Sequence, residues 1–190
     1  MSKEVRTIAV ISAGATGRSI AHAAALSGYR TILEDILPAS LRRAEDEIRE
    51  RLDRDVELGT VGEEGAKAAF GRLEYATTLE DAAREADMVI EAVPEEFDSK
   101  EEIFRLLDRV CRPGTVLITN TSSLNVAEIA AVTERPQMIA GMRFVKSTHG
   151  FERIDVVRAP KTAEATLAAA YEAAKRMVKE TSIVDESAGK

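Results

Sequence analysis

The chain is poor in the residues that mark several whole classes of protein. It holds one cysteine, Cys111, in 190 residues, which excludes an internal disulfide and suits a reducing compartment. Aromatic residues make up 4%, too few to build stacking platforms for bases. No apolar run approaches membrane-spanning length, and Met1-Ser2-Lys3-Glu4 leads straight into a strand pattern with no signal-peptide character. Cationic excess is missing too: 26 Lys and Arg face 33 Asp and Glu, a net charge of -7 that disfavours nucleic acid and anionic membranes as partners. Repeats, low-complexity linkers and clusters with metal-ligand spacing are absent. What remains is 45% hydrophobic and 31% charged, a globular composition expected in the cytoplasm and long enough for one domain with a good core.

One stretch organises the rest. Arg6-Thr7-Ile8-Ala9-Val10-Ile11 is a short β-branched run of strand length, followed by Ser12-Ala13-Gly14-Ala15-Thr16-Gly17. An alanine-rich segment from Arg18, closed by Gly28, predicts a helix with its C-cap, and Tyr29 to Leu33 a second strand ending at Glu34-Asp35. Strand, glycine loop, helix, strand and terminal acid make a βαβ dinucleotide-binding unit, with Asp35 21 positions after Gly14. The G-x-G-x-x-G pattern is incomplete, because Ser12 stands where its first glycine would make the tight turn. Six cofactor contacts are expected here, from Ser12, Ala13, Gly14, Ala15, Thr16 and Gly17. Asp35 is expected to hold the ribose hydroxyls and favour NAD over NADP; its plainer alternative is a cap before Pro38.

Leu41, Ala44, Ile48, Leu52 and Val56 give one apolar stripe on a charged helix from Ser40 to Leu58. Gly59 to Gly62 interrupts it before a short helix from Glu63 to Phe70, so a helical pair, about 38–71, is inserted after the second strand. It reads as a solvated insertion or as a rim touching a long substrate. Strands follow at Leu73 to Thr77, Asp87 to Val93, Thr115 to Thr119, Met138 to Phe144, Ile154 to Val157 and Ile183-Val184. Helices alternate with them at Leu79 to Glu85, Glu95 to Cys111, Val126 to Val132 and from a Thr162 cap to about Lys179, while Val145 to Arg153 reads as a loop. This is a Rossmann-type, doubly wound α/β sheet, mostly parallel, spanning 1–185 and followed by a tail at 186–190.

The glycine loop running into Gly28-Tyr29, Asp35, Ile90-Glu91-Ala92-Val93-Pro94-Glu95, Lys100, Asn120-Thr121-Ser122-Ser123-Leu124, Gly141-Met142 and Asp155-Val156-Val157-Arg158 occur in an order that resembles one family. Along nearly its whole length the chain is similar to the NAD-binding domain of the 3-hydroxyacyl-CoA dehydrogenases, including 3-hydroxybutyryl-CoA dehydrogenases. The resemblance implies NAD-dependent oxidation of a 3-hydroxyacyl-CoA and contact between the helical pair and coenzyme A. It places Glu95, Lys100, Asn120 and Lys146 by the cofactor. The family's histidine base, in G-M-H-F-F-N-P, falls on Arg143; the glutamate that orients it falls on Asp155, and the substrate-touching serine on Ser122.

The departures gather at the chemistry. A guanidinium stays protonated and accepts nothing, so Arg143 is not a general base, and an ion pair with Asp155 is the expected arrangement. The family's helical second domain has no counterpart, which suggests a truncated or engineered domain with catalysis lost or reduced and apolar faces open to self-association. The competing reading is a non-catalytic module or a redesigned scaffold. Glu95 and Lys100 read equally as a helix-start acid and a solvated lysine, and Ser122 as part of an N-cap cluster. His22 is expected to be packed or on the surface. His149 reads as a loop residue or a displaced base, and Cys111 as a buried thiol.

Overall fold

The computed structural model describes residues 4–186. An eight-stranded sheet runs in the order β3-β2-β1-β4-β5-β6-β7-β8. Its first six strands are β1 (Thr7–Ile11), β2 (Arg30–Glu34), β3 (Leu73–Ala76), β4 (Met88–Glu91), β5 (Val116–Asn120) and β6 (Ile139–Ser147), all mutually parallel. β7 (Gly150–Arg158) turns back antiparallel to β6, and β8 (Glu180–Asp185) lies parallel to β7. The chain winds from β1 outward in both directions, so a crevice opens beyond the carboxyl ends of β1 and β4, where ligands bind in such sheets.

Parallel strands buried on both faces need continuous apolar runs, and β1 and β4 supply them with every residue buried. Alternation divides each strand between two cores. Ile8, Val10, Ile90, Ile118, Ala140 and Met142 face α1 (Ala15–Leu26), α2 (Pro38–Glu57), α3 (Glu63–Gly71) and α7 (Glu164–Met177). Ala9, Ile11, Val89, Leu117, Ile139 and Val157 face α4 (Leu79–Ala83), α5 (Phe97–Val110) and α6 (Val126–Ala131).

Where the elements differ from the sequence reading, the reasons are local. α1 begins at Ala15 rather than Arg18, because the glycine loop itself forms its first turn. It ends at Ser27, with Gly28 at φ +92 taking the left-handed position expected of the residue after a cap. Pro38 stands at the N1 position of α2, where its missing amide costs nothing, and the predicted stripe is buried at Leu41, Ala44, Ile48 and Leu52. The segment 145–153, expected to be a loop, is a hairpin turning at Thr148-His149. Its polar residues hide alternation, and Phe144 packs against Phe151 across it at 4.9 Å between ring centroids. The N-cap of α7 is Ala163, not Thr162, whose hydroxyl donates instead to the Ile139 carbonyl at 2.7 Å. Glu186, read as the start of a tail, binds the α6 amides of Val126 and Ala127, the latter at 2.9 Å. The rest of the expected tail lies outside the described residues.

Candidate functional site

The glycine loop joins β1 to α1 beside the end of β2. Gly17 is obligatory there: a Cβ on it would lie 1.8 Å from the Ser12 carbonyl oxygen. This close crossing lets the loop fold over the start of α1. Gly14 caps α1 without a side-chain bond, and the first turn holds no acid, so its first internal bond runs from the Arg18 amide to the Gly14 carbonyl at 3.0 Å. The amides of Ala15, Thr16 and Gly17 thus face outward at the positive end of the helix dipole, a seat for a pyrophosphate. Ser12 takes φ +85, the left-handed backbone that a glycine would adopt without strain. Its amide donates to the Glu34 carbonyl at 3.0 Å, which ties the turn to β2.

Asp35 does not cap α2, whose N-cap is Leu37 without a side-chain bond; it braces the turns on either side of it. Its two oxygens accept the amides of Ala13 and Leu37, each at 3.0 Å, so the carboxylate braces the loop and the approach to α2 together. A carboxylate has about four acceptor sites, and two remain for sugar hydroxyls. Beside it lies a cavity of about 460 Å³ whose lining includes Asp35, Ile36, Leu79, Val93, Ile103 and Leu106. Ile36 is 78% exposed and Leu106 39%, an apolar rim suited to the faces of an adenine ring. Burial pushes the Glu34 carboxyl of the same cavity up, as does neighbouring Asp35, against the Ser12 amide that lowers it. Sequence reasoning missed this rim. Val93 and Ile36 were legible as strand-end positions, whereas Ile103 and Leu106 of α5 carry no local signal.

At the carboxyl ends of β4 and β5, Lys100 is neither solvent-exposed nor open to a ligand. It is fully buried, and its ammonium meets both oxygens of equally buried Glu91 at 2.9 Å and the Asn120 carbonyl at 2.8 Å. The Thr119 hydroxyl and the Val93 amide complete the cluster at 2.9 Å and 2.7 Å. Burial pushes the Glu91 carboxyl up; Lys100, Thr119 and the Val93 amide act against that push. Glu95 lies above at the crevice. Its desolvation is outweighed by the Thr121 hydroxyl, the Lys100 charge and the Leu124 and Ser122 amides, which hold it below the usual carboxylate range. Ser122 is exposed and its hydroxyl unengaged, since the cap of α6 is Asn125, which accepts from the Glu128 amide at 3.1 Å.

The expected Arg143–Asp155 ion pair is not formed. The two residues stand opposite each other across β6 and β7. Asp155, however, meets the Arg153 guanidinium at 2.9 Å and the Ser182 hydroxyl at 2.7 Å, while the buried Arg143 Nε has no acceptor among the described residues. A near neighbour on the same strand face has captured the carboxylate. Lys146 is brought to the other face of the sheet, where it lines a cavity of about 510 Å³ with Ala15, Ser19, Arg51, Arg54 and His149. His22 is packed, as expected, with Nε2 2.9 Å from an Asp55 oxygen. Burial and the Arg51 charge push its pKa down to about 4 against the pull of Asp55. Cys111 is a buried thiol whose pKa is pushed up to about 11, chiefly by desolvation.

Comparison with known proteins accounts for this geometry. The family model described as "3-hydroxyacyl-CoA dehydrogenase, NAD binding domain" matches residues 7–187. A probable 3-hydroxybutyryl-CoA dehydrogenase of Bacillus subtilis is 37% identical over 186 residues, covering 98% of this chain and 64% of that protein. A crystal structure of 3-hydroxybutyryl-CoA dehydrogenase from Escherichia coli superposes with a TM-score of 0.91 at 33% identity, over 96% of this chain and 39% of that one. The corresponding enzyme from Ralstonia eutropha gives a TM-score of 0.92 at 28% identity, over 98% of this chain and 65% of that one. The chain therefore spans less than two thirds of the length of each of these proteins. The Ser12–Gly17 turn, braced by Asp35, lies at the crevice of a doubly wound sheet, and the chain belongs to the 3-hydroxyacyl-CoA dehydrogenase family as its NAD-binding domain.

Proposed function

We infer that this chain binds NAD(H) as a dehydrogenase domain in which oxidation of 3-hydroxyacyl-CoA to 3-oxoacyl-CoA is lost or much reduced. The observation that carries this reading is Arg143. It occupies the position of the family's base, it bears a guanidinium that has no proton-accepting atom, and Asp155 is engaged by Arg153 instead of by it. The bound dinucleotide would supply the hydride chemistry. The Ala15, Thr16 and Gly17 amides would hold its pyrophosphate, Asp35 its adenosine ribose, and Glu95, Asn120 and Ser122 would line its nicotinamide end. Contact with coenzyme A is supported by the cavity of Arg51, Arg54 and Lys146, three cations suited to phosphate groups.

A compartment kept reducing, such as the cytoplasm, fits a single buried thiol, and no helix among the described residues is long and apolar enough to cross a membrane. Ile183, 44% exposed on edge strand β8, is a site for self-association. The second reading, a non-catalytic module with a vestigial pocket, draws on the strained Ser12 backbone and on the Asp35 carboxylate already bonded to Ala13. Calorimetry with NADH separates the two. Saturable micromolar to low-millimolar binding supports the first; a folded protein giving no heat, at temperatures that exclude a silent enthalpy, supports the second.

A further inference from the structure

Most guanidinium groups of this chain that reach its surface are matched to a carboxylate. Arg18 meets Glu47 at 2.8 Å, Arg30 meets Glu74 at 2.7 Å, and Arg135 meets Asp108 at 2.7 Å. Among the described residues, Arg143 has no such partner. It stands on β6 one residue beyond Met142, which lies opposite Asn120 at the end of β5. The strand alternation that sends Phe144 and Lys146 toward α1 and α2 sends Arg143 to the α6 face, with Ile139 and Gly141. Asp155 and Arg153 share that face, and their pairing uses the one carboxylate in register with Arg143. Two guanidinium groups and one carboxylate leave a positive charge uncompensated. Ser122, two residues beyond Asn120, adds an exposed hydroxyl without a partner among the described residues.

A donor closed off from water and lacking an acceptor is costly, and such groups in folded proteins call for an explanation. Here the Arg143 Nε–H is such a donor, on a side chain whose remaining guanidinium N–H groups are free to form a fork. We propose that Arg143 makes the substrate floor of this site a receptor for a carboxylate, so that it seats a small free 3-oxo or 3-hydroxy acid. The proposal rests on the NAD(H) reading only for which edge of the sheet is the mouth of the site. The guanidinium binds the carboxylate through its terminal N–H donors, and the Ser122 hydroxyl donates to the oxo or hydroxyl oxygen.

The test is titration of the whole chain with acetoacetate and with methyl acetoacetate, followed by NMR line broadening and by calorimetry, each with and without NADH. The acid is expected to bind at least tenfold more tightly than the ester. Arg143→Met is expected to erase that preference, and Arg143→Lys to keep part of it, both with NADH affinity within twofold of the parent. Equal binding of acid and ester to the parent chain, or an undiminished preference in Arg143→Met, overturns the proposal. If Arg143→Met does not fold, the acid-to-ester ratio of the parent decides the matter. Failure of NADH to bind while acetoacetate still binds through Arg143 would refute the cofactor reading and leave the receptor standing.

Discussion

Replacing Ser12 with glycine should stabilise this protein, although glycine substitutions ordinarily do the reverse. Ser12 is the one non-glycine with positive φ among the described residues, at +85. Holding an L-residue in left-handed backbone costs about 1–2 kcal/mol. Glycine removes that strain but releases more chain entropy on unfolding, a loss of roughly 0.5–1 kcal/mol. The serine hydroxyl recovers little, since its one bond, from the Gly14 amide, is 3.4 Å long. The balance favours Ser12→Gly by about 0.5–1 kcal/mol, a rise of about 2 °C in melting temperature for a chain of this size. Urea denaturation at neutral pH, with unchanged slope, measures it. The same variant is expected to bind NADH more tightly, because the loop approaches the pyrophosphate without a side chain. Ser12→Ala keeps the strain and should show neither gain. A Ser12→Gly protein less stable than the parent by 0.5 kcal/mol or more would refute the assignment of strain to this turn.

Other outcomes follow from groups buried beneath and beside the site. Lys100→Met should cost about 3–5 kcal/mol by leaving Glu91 charged and unpaired, and Lys100→Met with Glu91→Gln should recover part of it; urea midpoints decide. His22 titrates near 4 when folded and near 6.5 when unfolded, so the unfolded chain binds more protons between those values. Stability is therefore full above the unfolded pKa and falls as pH drops toward 4, by up to about 3 kcal/mol for this group; denaturation across pH 7.5 to 4.5 should show a shallower decline in His22→Gln. Arg143→His alone should not restore full turnover of acetoacetyl-CoA, because Lys146 and Ser147 still replace the rest of the motif; full NADH oxidation by that variant would show that catalysis tolerates both replacements.

The doubly wound sheet was legible because its strands state it: Ile8 to Ile11 and Met88 to Ile90 are continuous apolar runs, and Gly14, Gly17 and Asp35 stand at the spacing that a nucleotide crevice requires. The hairpin at Thr148 was not, since its residues are polar at the tip and only Phe144 and Phe151 betray the pairing, from strands on either side of a turn. Partner choice was the hardest part. Arg143 and Asp155 do face each other, yet Arg153, two residues away on the same strand, decides where the carboxylate goes. Spacing locates side chains on a face but does not rank competitors on it. The burial of Lys100 was similarly hidden: an amphipathic helix places a lysine at one angle, and only the carboxyl end of β4 reveals the acid waiting there.

That lysine has a mechanical corollary. Through one ammonium, the last residue of β5 is tethered to the last residue of β4 and to the second turn of α5. Displacing any of the three lengthens contacts that no solvent can replace, so this corner shifts as a block or stays put. A ligand settling against Asn120 should consequently damp breathing throughout α5, slowing hydrogen exchange at amides that never meet the ligand.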